Sequence, residues 1–521
     1  MTKGGLSGPG TTVMGMGLGR DDSRTTTGRP ARAGVALALA MLLGGCVAGL
    51  GGRSIDEAVQ ANQLAATPSP AQRSPEVDAR EVAIAEREHP KILASFGGTY
   101  EDQEAEVAIA RAVGRLVRAS DEPWRSYRVT ILNSPAINAF ALPGGYVYVT
   151  RGLLALANDT SEVAAVIAHE MAHVTARHAF ARAERAEAAA VASRVVQDVV
   201  QDPAVARLAL ASTQLSLARF SQIQELDADA VGIRTLTKAG YDPFAAARFL
   251  TSMARFAAYK TASPMDDGSA DFLSSHPSTP ERIVQANTAA EAAVRTAGTA
   301  GDRDQDAYLR RVDGLMFGDD PVEGFVRGRE FLHAKLGLAF AVPAGFNLEN
   351  TARAVLATDR NGTAMRFDGA DVKKGDDLID YLTSGWINGL DPGSIQTLSI
   401  NGMPAAIASA AARGYSYRVA VVRFGDQTFR FLFATRAETP AFDRAFRQTI
   451  ATFRPLGPGE QSRLQPLRIR VTTVQPGDTA ESLASRMAPV DRPVDLFRVF
   501  NGLGPREQPV VGRKVKLITD G

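Results

Sequence analysis

The chain has 521 residues, room for about three domains at roughly 150 residues each. Lysine plus arginine number 58 against 57 aspartate plus glutamate; the formal charge of +1 excludes a global pull toward nucleic acid or an anionic membrane. At 45% hydrophobic and 22% charged residues the chain is not wholly disordered, and one cysteine excludes a disulfide scaffold and any cysteine-only metal site.

Arg29 and Arg32 precede an apolar run, Ala33 to Gly45, that ends in small residues directly before Cys46. A basic flank, an apolar core and small residues before a cut describe a secretory signal. The cysteine placement resembles a bacterial lipobox, with Cys46 lipidated and residues 1–46 the signal and lipobox. An uncleaved transmembrane anchor is the alternative reading, because Ala33 to Gly52 carries no charge. Residues 1–28 are long and rich in Gly and Thr for a basic flank, which points to Met14 or Met16 as the start.

Residues 47–76 are rich in Gly, Ala, Ser, Pro and Gln and read as a flexible tether. A helix follows, with Ile109, Val113 and Leu116 at i, i+4, i+7. Val129 to Leu132 and Tyr146 to Thr150 read as strands, and NAFALPGG between them as a loop. A long helical stretch starts near Ser161, a candidate cap, and residues 179–219 continue helical with a break at Asp202-Pro203. Near residue 330 short strands appear, with Phe429, Phe431 and Phe433 alternating along one of them. The expected divisions are 77–320, a small α+β domain over 325–456, and a compact unit over 469–518.

His169-Glu170-Met171-Ala172-His173 is an HExxH sequence on a predicted helix. Positions i and i+4 share a helix face, so both imidazoles reach one zinc ion. Glu170 lies about 100° around the helix and reaches a water at the metal from the side. The flanking Ala164, Ala165, Val166, Ile167, Ala168 and Ala172 make the helix apolar nearly all round, hence buried, and two buried histidines need a partner. Zinc hydrolases need a third protein ligand. Glu225 is the candidate, with Asp229 at i+4 on the same face to accept the second N–H of a ligating imidazole. His178, at i+5 from His173, faces elsewhere on a helical wheel and reads as a structural or surface histidine.

HExxH, then ExxxD some way downstream, with NAFALPGGYVYVTRGLL before and HPSTPERI after, resembles the gluzincin metallopeptidases of the HtpX/BepA/LoiP type, relatives of the CAAX prenyl endopeptidases. The resemblance covers about residues 80–290 and points to the periplasmic branch. It implies an α+β multidomain fold whose mainly helical catalytic domain carries a small edge sheet. It implies zinc ligands at His169, His173 and Glu225, Glu170 as general base, and Asp229 behind a ligand. It makes Gly145 to Val149 the edge strand along which an extended peptide lies. His276 matches a family histidine that approaches the metal, either as a latch on the open position or as a donor to the oxyanion. Gln222 departs from the family, whose members usually carry arginine there. Val474 to Thr479, Leu483-Ala484, Phe500 to Leu503 and Val511 to Val515 resemble a LysM module, a βααβ unit that usually binds peptidoglycan-type glycan; Ala480 replaces its usual leucine.

The expectation is one zinc per chain in an endopeptidase held by lipid at the periplasmic face of the outer membrane, acting on misfolded or stalled envelope proteins. Two rivals remain: a chaperone-like assembly factor with latent proteolysis, and a peptidoglycan-associated hydrolase or binding protein.

Overall fold

The computed structural model describes residues 75–199, 203–262, 276–373 and 375–520. Cys46 and nearly all of the 47–76 tether lie outside the described residues. No helix among the described residues is long and apolar enough to cross a membrane.

The first part is mainly helical. Helices α1 (Pro75–Ser95) and α2 (Gln103–Ala119) lead into a three-stranded sheet of β1 (Arg128–Leu132), β2 (Ala139–Leu142) and β3 (Tyr146–Thr150). Then come α3 (Arg151–Leu156), α4 (Thr160–Thr175), α5 (His178–Val199), α6 (Pro203–Lys238), α7 (Ala245–Ala262), α8 (Pro280–Ala297) and α9 (Gln305–Val312). Helix α2 starts where the Asp102 side chain accepts from the Ala105 amide, and its Ile109, Val113 and Leu116 stripe is buried. Asp159, not Ser161, caps α4 by accepting from the Glu162 amide. Ser161 instead donates to the Asp302 carbonyl and accepts from the Asp242 amide.

The sheet corrects two expectations. NAFALPGG is not all loop, because Ala139–Leu142 pairs antiparallel with β3 across a turn in which Gly144 and Gly145 take φ of 88° and 86°. That conformation favours glycine, and a Cβ at Gly145 would sit 2.2 Å from the Ser126 carbonyl oxygen. The strand order is β1-β3-β2, so β3 is central and buried along its whole length rather than an edge. Its two neighbours take up both rows of backbone hydrogen bonds, which leaves none for a peptide. The edge beside the α4 helix is β2, which packs against it.

Beyond α9 a seven-stranded antiparallel sheet spans residues 346–435, and a four-stranded sheet joins residues 325–341 to Arg454–Pro455. Phe429, Phe431 and Phe433 alternate onto one face, where they pack with Phe340, Phe367 and Phe453. The final segment runs strand Leu467–Thr473, helices Ala480–Ala484 and Pro493–Phe500, and strand Lys514–Asp520. Its strands pair with each other and with Met316–Phe317. Ile469, Leu496, Val499, Phe500 and Ile518 belong to the same hydrophobic core as α2, α4 and α7. The Lys516 ammonium is buried against the carbonyls of Ala155, Leu156 and Ala157 at 2.7, 3.1 and 2.6 Å, closing the C-terminus of α3.

Candidate metal centre

Helix α4 is buried from Ser161 to Val174; nine of these fourteen positions are Ala, Val, Ile or Met, and the other five are Ser161, Glu162, His169, Glu170 and His173. One turn separates His169 from His173, and their Nε2 atoms lie 3.0 Å apart. Helix α6 crosses α4 closely at Gly232, where a Cβ would stand 3.2 Å from the His169 amide nitrogen. That approach sets the Glu225 carboxylate 3.4 Å from both Nε2 atoms. His276, just before α8, brings Nδ1 to 2.9 Å from Glu225 Oε2 and 3.3 Å from His169 Nε2. The ligand atoms of His169, His173, Glu225 and His276 all lie within 4.8 Å of one another, and all four residues are buried.

The far side of each helix imidazole is fixed. His169 Nδ1 lies 2.9 Å from Asp229 Oδ1. Asp229 accepts from Arg282 Nε at 2.7 Å and from Nη2 at 2.8 Å. Arg282 Nη1 lies 3.0 Å from Glu225 Oε2 and donates to the Pro277 carbonyl at 3.0 Å. This arginine, 2% exposed, ties Asp229, Glu225 and the loop bearing His276 together. His173 Nδ1 lies 2.8 Å from Nδ1 of His178, whose Nε2 lies 3.4 Å from Asp227 Oδ2. The turn into α5 passes through Arg177 at φ 54°, which swings His178 back onto His173.

With both Nδ1 atoms engaged, the Nε2 lone pairs of His169 and His173 converge on one point. Imidazole nitrogens and a carboxylate, buried and oriented from behind, are a donor set that fits zinc. The electrostatics agree. Burial would push Glu225 up, but contacts from His169 and His276 hold its carboxyl well below the usual range. Burial opposes charge on His169, yet Asp229 and Glu225 raise it to about 9. Burial and the neighbouring His169 push His173 down. Ionised carboxylates packed against imidazoles leave a place for a cation. Glu170, beside the cluster with Oε1 3.6 Å from His276 Nε2, is raised by burial.

The structure therefore gathers His169, Glu170, His173, Glu225, Asp229 and His276 at one place. Gln222 points away and donates to Glu281 at 2.8 Å. Sequence reasoning missed Arg282 and the role of His178. Arg282 lay inside the HPSTPERI segment, but nothing in that segment marks the arginine as buried.

The sequence profile of Peptidase family M48 matches residues 103–290. Among curated proteins the chain is 33% identical over 170 residues to the mitochondrial metalloendopeptidase OMA1 of Arabidopsis thaliana, covering 32% of this chain and 33% of that protein. It is 30% identical over 215 residues to the beta-barrel assembly-enhancing protease of Yersinia pestis, covering 40% and 43%. It is 31% identical over 185 residues to the protein of that name from Escherichia coli, covering 34% and 37%. The chain thus spans less than half the length of these relatives. The helix of His169 and His173, the helix of Glu225 and the loop of His276 all fall inside residues 103–290, the part of the chain that is similar to Peptidase family M48.

Proposed function

We propose that the chain is a zinc endopeptidase of the bacterial envelope that cleaves misfolded or stalled envelope proteins. The observation that carries this reading is the convergence of four ligand atoms within 4.8 Å, with Asp229 and His178 behind the two helix imidazoles. His169, His173 and Glu225 would hold the zinc, which supplies Lewis acidity for a peptide carbonyl and acidifies water toward neutrality. Glu170 takes the proton from the attacking water and passes it to the leaving amine; its burial keeps the carboxylate basic enough for the first step. The free edge of β2, beside α4, offers backbone groups to an extended substrate. Two relatives bear names tied to β-barrel assembly, which supports envelope proteins as the substrate class.

His276 favours a latent resting state. Its Nδ1 sits among the ligand atoms, so that with zinc held by the other three residues it would compete for the position a substrate needs. On this reading His276→Ala raises cleavage, whereas an oxyanion donor would lose roughly 10²-fold in kcat. Lipidation of Cys46 and attachment to the outer membrane complete the proposal; Cys46→Ser is expected to leave an unprocessed precursor. Glycan binding by 469–518 is a separate expectation, read by pull-down on peptidoglycan.

The experiment is metal analysis with casein digestion. Wild type is expected to hold one zinc per chain and to cleave casein. Glu170→Gln is expected to keep the zinc and lose cleavage. Wild type without stoichiometric metal would end the peptidase reading.

A further inference from the structure

The sheet has a second free edge, on β1, away from the metal centre. A groove of about 670 Å³ runs between that edge and α2. In the parallel ladder Arg128 donates its amide to Gly145, so Val129 and Ile131 turn their backbone groups outward. The chain itself covers only one end of this edge: Tyr100 donates to the Ile131 carbonyl, and Asn133 to that of Gly98. Toward Val129 no backbone of the described residues pairs with it.

The opposite wall is the outer side of α2. Ala110 and Gly114 keep it low; a Cβ at Gly114 would meet only Arg118 Nη1, at 3.6 Å. Val113, Val117 and Val129 make the lining apolar, and Val107 stands 42% exposed at the rim. Charge is unevenly placed. Arg118, Arg125 and Arg128 gather at one end, and Glu106 stands at the other. Arg125 is neutralised by Glu122 at 2.8 Å, and Arg128 sets its guanidinium 5.7 Å from the centre of the Tyr146 ring, on the sheet face turned away from α2; Arg118 is exposed, and neither Arg118 nor Arg128 forms an ion pair among the described residues.

From these features we propose that the groove binds the free C-terminal segment of an extended polypeptide. The peptide adds antiparallel to β1, in the sense in which Thr99 already bridges to Leu132. A residue opposite Val129 exchanges both backbone hydrogen bonds with it. Alternate side chains lie over Ala110, Gly114 and Val117, and the terminal carboxylate reaches the guanidinium of Arg118, with that of Arg128 turning to it from the rim of the Tyr146 ring. Backbone pairing makes the site tolerant of sequence, and the arginine end makes it selective for a chain terminus.

The test is fluorescence anisotropy on the full chain with two labelled hexapeptides of alternating threonine and valine ending in phenylalanine, one a free acid and one an amide. The free acid is expected to bind at least tenfold more tightly. Ala110→Trp, on the exposed floor, is expected to weaken the free acid tenfold or more while zinc content stays unchanged. The double variant Arg118→Glu, Arg128→Glu is expected to abolish the preference for the acid, which keeps the test decisive if the tryptophan variant folds poorly. Equal binding of acid and amide, binding unaffected by Ala110→Trp, or no binding at millimolar peptide would each overturn the proposal. A dimer of the chain that Ala110→Trp dissolves would assign the groove to a second copy and overturn it as well.

Discussion

At the scale of single residues, the centre depends on groups one contact removed from the ligands. His178→Phe preserves a buried ring but removes the acceptor behind His173. Zinc affinity is expected to fall 10- to 100-fold, read by competition with a chelator; an affinity within twofold of wild type would reduce His178 to packing. Arg282→Leu removes the guanidinium that two buried carboxylates, Asp229 and Glu225, share, leaving them only histidine partners, and is expected to cost about 3–5 kcal/mol in a denaturant titration. The HExxH pair was legible because helical spacing alone puts i and i+4 on one face. The contact of His178 with His173 was not legible, because a helical wheel assumes an unbroken helix and the left-handed Arg177 breaks it, although its reading as a structural rather than ligating histidine is consistent with its place outside the ligand group. Arg282 was illegible because its burial depends on two acids more than fifty residues away in sequence (|i−j| of 53 to Asp229).

Between elements, the crossing of α4 and α6 is set by the missing side chain of Gly232. Gly232→Val is expected to force the helices apart, costing about 1–3 kcal/mol and weakening zinc binding, because Glu225 rides on the displaced helix. Thermal melting and zinc titration of the same variant separate the two effects. In the seven-stranded sheet, Asp368 accepts from Arg430 and Arg366 on neighbouring positions of one face. Burial would raise its carboxyl, but the two guanidinium groups hold it below the usual range. The folded-state pKa is thus depressed, so the stabilisation is present above the unfolded value and lost as pH falls through the folded one. Asp368→Asn is expected to melt lower than wild type at pH 7, by about 2 kcal/mol, with the two curves converging in acid. Most helices of the first part were readable from apolar spacing. The four-residue β2 was not, because the Pro-Gly-Gly turn beside it is equally a loop signal; nor was the central place of β3, because order in a sheet depends on partners that periodicity does not name.

Across the whole molecule, the segment 469–518 read from sequence as a compact unit; it holds a small core of its own around Leu483, Phe497 and Leu517 and also contributes Ile469 and Phe500 to the core shared by α2, α4 and α7. No local pattern foretells that, since an apolar residue looks the same whichever core receives it. Lys516→Met is expected to leave the Ala155 and Ala157 carbonyls at the end of α3 without this donor, Leu156 keeping that of Asn158 Nδ2, and to destabilise the first part of the chain by about 2 kcal/mol or more. Removal of residues 467–520 is expected to go further and lower zinc retention, measured after dialysis. The lysine also imposes a timetable. It lies 359 residues beyond Ala157, the nearest carbonyl it caps, and only two residues separate Ala157 from the start of α4. A chain that emerges N-terminus first, from a ribosome at about 5–20 residues per second or through a membrane on export, delivers this lysine last. Until it arrives the helix bearing His169 and His173 exists without its final support, so the candidate site matures late, and a chain interrupted before Lys516 never acquires a fully braced site.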